Sequence, residues 1–467
     1  MTESPITSRR WTAWLWWIPM VIAGGSLSLW WLGWYPGFLT AESVRMWGDV
    51  TSGDFTNFTP ATHTIVAWTL SRIWDTPAIV TLLQSLLALL LLALFIRRMR
   101  ALGVPAFASG IAVVLFGLLP GTATATVTLE VTTAQALVAM WLFVETLDLV
   151  RDSPRYLGRW QSVARLGCAA AAVALFDHAG IVIVAIVAVG FAVVLRRQLR
   201  LLVRPGLVAA GVFVLFQVPV FELASVDRLV VPVAEVFAPD LASIVKHAPE
   251  VFGDEDRLLL EAVADLEVWS GAYRCGEGIA LVRDRDFDVT PIRDDPGSYR
   301  GLLLRAALQR PLIVIGHRMC ASGLLFLPAQ PTGERFEAYT YNVPQNEFGL
   351  ERETKWARAF SVTKAILVRT DRPSSLWLFW RPAIVVWLAL LAFAVAMLRR
   401  RRQWTLPAIV FAAVLMVTAL TIRAPAFGEV FAVYSVALLS LPVWWAALRR
   451  EPAAGLPAAG NGTESEG

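Results

Sequence analysis

The chain has 467 residues, of which 57% are hydrophobic, with a mean hydropathy of +0.58 and a formal charge of +4. That much apolar surface excludes a soluble globular protein, because several nearly uncharged runs can cross about 30 Å of hydrocarbon, which takes about 20 helical residues. The pI near 9.1 is not a nucleic-acid signature, since the arginines cluster at the ends of apolar runs, where membrane topology explains them.

Taken in chain order, the runs predict an all-α polytopic membrane protein with about ten transmembrane helices. Arg9 and Arg10 precede span one (11–34), which lacks a cleavage-site pattern and is expected to stay as an uncleaved anchor with the N-terminus inside. Span two (77–96) ends in Arg97, Arg98 and Arg100. Span three (103–120) leads to a Thr-rich outer turn, and span four (131–150) returns to Arg151, Arg155, Arg159 and Arg165. Spans five (166–177) and six (179–195) form a tight pair closed by Arg196, Arg197 and Arg200. Span seven (206–224) leaves for a hydrophilic stretch, 225–372, before span eight (376–398) meets Arg399 to Arg402. Spans nine (405–422) and ten (428–448) finish at Arg449 and Arg450. Ten spans put every arginine cluster on one side, with both termini cytoplasmic.

Four segments follow: a transmembrane module over 1–224, whose outer loop spans 35–63; a mainly α extracytoplasmic domain over 225–372; a second transmembrane module over 373–450; and a disordered cytoplasmic tail over 451–467. The extracytoplasmic segment holds 22 acids and 18 bases, so its surface is acidic while the rest of the chain is basic. Asp254 is the expected N-cap of the helix in "DEDRLLLEAVADL". The run Pro311–Pro328 is apolar but carries His317 and Arg318 near its middle, and counting it as a span would turn Arg399 to Arg402 outward. It reads as a helix at the interface or packed within the outer domain. Cys275 and Cys320 share this domain and can either pair on the oxidising side or stay as unpaired structural thiols.

Ionisable residues gather on the predicted outer side. Glu42, Arg45, Asp49, Asp54 and His63 share the first outer loop, Glu130 caps span four, and Asp177 and His178 sit between spans five and six. Arg423 and Glu429 bracket the last outer turn. Charged groups at a membrane boundary need pairing or solvation, so their convergence on one cleft marks a candidate site. Each has a plainer alternative: Arg45 one helical turn from Glu42 as its ion-pair partner, Asp54 as a turn residue, His178 as part of a cap. Trp269 and Tyr273 read either as core aromatics or as faces for stacking a sugar. No HExxH, closely spaced cysteine pair, P-loop, GxGxxG or GxSxG pattern is present, so no motif demands a metal or nucleotide. Glu42 or Asp49 could still ligate a divalent cation.

The loop "YPGFLTAESVRMWGD", with "GDFTNFTPATHTIV", "QSLLALLLLALFIRRMRALGVP" and "FDHAGIVIV", resembles the GT-C superfamily of polytopic glycosyltransferases, in particular a bacterial branch opening "YPG…DS…Q". Glu42-Ser43 stands where that branch has Asp-Ser, Met46 stands for its Gln, and Asp177 stands where its members often carry Arg. The resemblance implies a bacterial plasma-membrane enzyme. It would move a sugar from a polyprenyl-phosphate donor to an envelope glycan or lipid acceptor on the outer face, without nucleic acid. Glu42 would be the catalytic carboxylate, and Arg45, Asp49, His63, Glu130, His178 and Arg423 the substrate-binding residues. The alternatives are a non-catalytic relative that binds lipid-linked sugar or assists a partner, and a flippase or transporter. The second is disfavoured because the spans are free of mid-membrane charge apart from Glu145 near an inner end.

Overall fold

Each apolar run folds as helix, because only a helix satisfies its own backbone inside hydrocarbon. The structure, a computed structural model, describes residues 17–57, 59–227, 232–275, 281–282, 284–329, 336, 338–399 and 404–448. Arg9, Arg10, Arg400 to Arg402, Arg449, Arg450 and the 451–467 tail lie outside the described residues.

The first module comprises α1 (Trp17–Gly33), α2 (Ala41–Ser52), α3 (Ala61–Ser71), α4 (Ala78–Ala101), α5 (Ala106–Leu118), α6 (Pro120–Thr126), α7 (Val131–Gly158), α8 (Trp160–Phe176), α9 (Gly180–Val194) and α10 (Arg196–Leu223). The hydrophilic stretch carries α11 (Pro232–His247), α12 (Asp254–Glu261), α13 (Leu266–Ala272), α14 (Thr290–Asp294), α15 (Pro296–Gln309), α16 (Pro311–Ala321), α17 (Gly323–Phe326) and α18 (Ala357–Thr370). The chain closes with α19 (Pro373–Phe379), α20 (Ala383–Leu398), α21 (Thr405–Thr421), α22 (Phe427–Ser440) and α23 (Val443–Leu448). No strand occurs among the described residues, only two isolated bridges.

The architecture is all-α and polytopic. Among the described residues, five helical stretches are long and apolar enough to cross a membrane: α4, α7, α10, α19 with α20, and α22 with α23. Helices α5 and α6 make a sixth when taken together, bent by 67°. The bend falls at Leu119, forced into extended backbone by the Pro120 that follows it. Helices α1, α8, α9 and α21 are shorter apolar helices, and with them all ten expected spans are occupied by helix. Alternating directions put Glu42, Glu130, Asp177 and Arg423 at one end of the bundle, here called the mouth.

Helix α7 is the axis of the bundle, packed by α4, α8, α21 and α22. Near the opposite end its Glu145 meets Arg98 of α4 at 2.7 Å, Arg165 of α8 at 3.5 Å and the Tyr156 hydroxyl at 2.6 Å. Arg98 also reaches Asp148 at 3.1 Å. One arginine of the expected flanking cluster is therefore a buried structural partner.

The expected outer unit 225–372 divides in two. A separate core runs from Ala238 to Ala306, while Leu324, Leu325, Ala338 and Leu367 belong to the membrane core. Helix α18 packs on α1, with Gly33 against the Ala359–Phe360 backbone and Trp34 Nε1 donating to Thr363 Oγ1 at 2.8 Å. Asp254 occupies the first turn of α12 and Gly253 its N-cap, one position earlier than expected. Cys275 and Cys320 form a disulfide with Cα atoms 6.0 Å apart.

At the mouth, the turn after α1 is fixed by Gly37, whose φ is +138°. A Cβ there would stand 2.7 Å from both the Val127 carbonyl oxygen and Thr81 Cγ2. Gly53 also has positive φ, +81°, but nothing lies within 4 Å of its Cβ position. Gly37→Ala therefore combines backbone strain with a clash and should cost about 1–3 kcal/mol, lowering the thermal midpoint of the detergent-purified protein clearly more than Gly53→Ala.

Candidate functional site

The loop Tyr35–Thr40 is tied to the start of α7 by backbone. Phe38 N–H donates to the Val127 carbonyl at 3.0 Å, and Leu129 N–H donates to the Phe38 carbonyl at 3.1 Å. Thr40 then caps α2 in a reciprocal box with Ser43: Ser43 N–H donates to Thr40 Oγ1 at 3.2 Å, and Thr40 N–H to Ser43 Oγ at 2.9 Å. Ser43 Oγ donates in turn to the Leu129 carbonyl at 2.5 Å. These bonds bring Glu42, in the first turn of α2, beside Glu130, the N-cap residue of α7.

Glu130 is the electrostatic centre. Burial drives its carboxyl up from 4.5 to about 7, helped by the charges of Glu42 and Glu429 and opposed by hydrogen bonds from Thr40 and Thr132. Thr132 Oγ1 lies 3.0 Å from Glu130 Oε2. The same oxygen lies 3.1 Å from where a Cβ of Gly428 would stand, so a side chain there would press on the Glu130 carboxylate and Thr132 by a few tenths of an ångström. The next residue, Glu429, accepts from Arg423 Nη2 at 3.0 Å. Asp177 joins from the α8–α9 turn. Burial pushes its carboxyl to about 6 and the Glu429 charge adds to this, against the Ala179 N–H bond at 2.9 Å and Arg423.

The predicted residues therefore fall into three groups. Glu42, Glu130 and Arg423 converge, joined by Asp177 and Glu429, which the residue-by-residue reading had placed at the outer ends without selecting. Arg45 and Asp49 lie further along α2. There Thr56 Oγ1 donates to Asp49 Oδ2 at 3.3 Å, while burial raises the Asp49 carboxyl and Arg45 lowers it. His178 is exposed beside Asp177, whose Oδ1 accepts from the Ala179 N–H within the turn. His63 is buried in α3 with neither ring nitrogen hydrogen-bonded, and burial lowers it to about 4. At neutral pH it offers no positive charge, only neutral donor and acceptor nitrogens.

Of the two readings open for Trp269 and Tyr273, the core one holds. Trp269 is wholly buried in the separate core, donating to the Leu260 carbonyl at 3.0 Å, and the Tyr273 hydroxyl meets His317 Nδ1 at 2.8 Å. Neither presents a face for stacking a sugar. Among the described residues no three His, Cys, Asp or Glu side chains gather to hold a metal ion.

A second wall of the mouth was missed by the sequence reading. The loop before α18 folds back over α2, with Phe348 against Gly48 and Leu350 in a small core with Met46, Trp47 and Val50. Its cations lie on the aromatics that follow α1: Arg352 is 4.4 Å from the Trp34 ring and Lys355 4.4 Å from Tyr35. The clustered cations of "ERETKWAR" were the available signal, but nothing local ties them to a loop three hundred residues earlier.

No family model and no curated protein sequence matches this chain. Two crystal structures align with 91% of it and 78% of their own chains, both at a TM-score of 0.36: ArnT from Cupriavidus metallidurans bound to undecaprenyl phosphate (16% identity), and the same protein in the apo state (17%).

The raised Glu130 carboxyl has a stability consequence of definite sign. Between about 4.5 and 7 the folded chain holds a proton that the unfolded chain has released. The stability from that proton is complete below pH 4.5 and lost as pH rises through about 7. Glu130→Gln, which cannot ionise, should raise the melting temperature at pH 8 and leave it nearly unchanged at pH 5 in a thermal scan of the purified protein.

Proposed function

We propose that this chain is a membrane glycosyltransferase of the bacterial plasma membrane. It moves a sugar from a polyprenyl-phosphate donor to an envelope glycan or lipid acceptor at the outer mouth of the bundle. The observation that carries this reading is the carboxylate pair Glu42–Glu130, fixed by backbone bonds and neighboured by Glu429, which Arg423 pairs with. The resemblance of the "YPGFLTAES" loop to the GT-C superfamily supplies the reaction class. The Cys275–Cys320 disulfide supports an outward orientation, since such bonds persist on the oxidising side.

In this reaction the acceptor hydroxyl oxygen attacks the anomeric carbon, the bond from that carbon to the phosphate oxygen breaks, and polyprenyl phosphate leaves. Glu42 takes the hydroxyl proton as positive charge develops on the attacking oxygen. Glu130 shares that site, so the two carboxylates titrate as a unit whose proton occupancy changes near neutral pH. Arg423, with Arg45 and His178 on the same face, faces the leaving phosphate. His63 contributes neutral hydrogen bonds, and Asp49 orients Arg45 along α2.

A second reading keeps the same site without turnover: a protein that holds lipid-linked sugar for a partner. The observation favouring it is that Arg423 already pairs with Glu429 at 3.0 Å, so an incoming phosphate must compete with a carboxylate.

Envelope glycan analysis of a deletion strain complemented with variants separates the two. Glu42→Gln should abolish one sugar linkage at unchanged protein level, with a rate loss of about 10²–10⁴ for removal of a general base. Turnover by the wild type should rise as pH climbs through about 7 and Glu130 loses its proton. A normal envelope in cells producing only the Glu42→Gln protein would refute the catalytic assignment.

A further inference from the structure

Helix α16 is amphipathic in the inverse sense to a water-exposed helix. Its ionisable residues point inward. His317 is 4% exposed, with Nδ1 2.8 Å from the Tyr273 hydroxyl and Nε2 3.6 Å from Asp240, and Arg318 pairs with Asp240 of α11. Its outward stripe, at spacings of three and four, is Leu312, Ile315, Gly316 and Met319, without one polar side chain. Leu312 is 79% exposed, Ile315 51% and Met319 70%. A helix facing water places those two faces the other way round. The rotation about its axis is locked twice, by the inward ion pair and by the Cys275–Cys320 disulfide.

The depth of this helix is fixed by what its C-terminal end touches. Ala321 and Arg318 line a small hollow with Ile422 and Arg423, at the mouth end of α21. Directly after it, the α17 residue Phe326 accepts from Trp387 Nε1 at 2.9 Å, and Leu327 accepts from Arg381 Nε at 2.9 Å. Trp387 lies about one turn inside α20, where it and Leu391 are exposed on a stretch long and apolar enough to cross a membrane. The C-terminal end of α16 is thereby held at the level of that apolar surface. At eleven residues α16 is about 16 Å long, too short to cross a bilayer.

We propose that α16 lies in the membrane interface at the mouth, with Leu312, Ile315 and Met319 seated in lipid, so that the separate core of α11–α15 is docked on the bilayer as well as tethered to it. Nothing in this requires the chain to be a transferase. A buried polar side and a lipid-covered apolar side together hold the core at a fixed height beside Arg423.

The test uses the full chain in nanodiscs of phosphatidylethanolamine and phosphatidylglycerol. In a Cys168→Ala background that keeps the disulfide, nitroxide labels are placed at Leu312→Cys and Ile315→Cys. Leu391→Cys serves as a lipid control and Asp286→Cys as a water control. The ratio of oxygen to nickel-chelate collision should match Leu391 and exceed Asp286 several-fold; a ratio at the Asp286 level overturns the proposal. Because a label can perturb packing, a benzophenone side chain at Met319 gives a second readout. A phospholipid adduct supports lipid docking. A cross-linked second copy of the chain, or no lipid adduct where the same group at Leu391 yields one, overturns it.

Discussion

The Ser43 hydroxyl to Leu129 carbonyl bond joins residues 86 apart in sequence, and with the two backbone bonds of Phe38 it fixes where α2 begins relative to α7. Everything at the mouth inherits its position from that junction. A side chain alone could swing Glu42 away from Glu130 at little cost. A backbone bridge followed at once by a helix cap leaves the first turn of α2 no such freedom. Gly37 is what allows the chain to reach the bridge, as any side chain there would occupy the space of the Val127 carbonyl.

Once carboxylates are held together in a place with little water, their charges cannot be treated separately. Glu130 feels Glu42 and Glu429, and Asp177 feels Glu429 and Arg423. Opposing them, Arg423 contributes positive charge and Thr40, Thr132 and the Ala179 N–H contribute hydrogen bonds. The result is a site tuned by neighbours on four separate connections, in which burial and like charges hold the Glu130 and Asp177 carboxyls above their ordinary values. Such a balance differs from a structural ion pair of the Arg98–Glu145 kind, in which opposite charges meet directly.

The spans were legible because hydrophobic length and arginine placement are local signals, each read without knowing what packs against what. The 67° bend between α5 and α6 falls at the expected end of span three, and the Thr-rich stretch expected there as a turn is the short helix α6, which starts at Pro120. The limits of the outer unit were not legible: α18 is amphipathic, and its assignment to the membrane core comes from contacts with α1 and Trp34, the Gly33 approach and the Thr363 bond among them. The same holds for the site. Glu42 and Glu130 could be named from position, but the approach of Gly428 to the Glu130 carboxylate comes from the packing of the last hairpin on α7. The burial of His63 likewise depends on neighbours such as Phe176, 6.4 Å away between ring centroids. For Trp269 and Tyr273 the sequence left a core role and a ligand face both open, and only their neighbours in the small core decide for the first.

The network around Glu145 bears on how the protein is made. Arg98 and Glu145 reach the membrane on different helices, and neither has its partner until both have been threaded in. During synthesis α4 must wait with an uncompensated guanidinium near one end, which it can keep at the headgroup level by extending its flexible stem. Only when α7 arrives can that charge move inward and meet Glu145, with Arg165 following on α8. A bundle in which α4, α7 and α8 come together incorrectly therefore leaves Arg98 and Glu145 without the opposite charge each has in the folded protein, a costly arrangement in hydrocarbon.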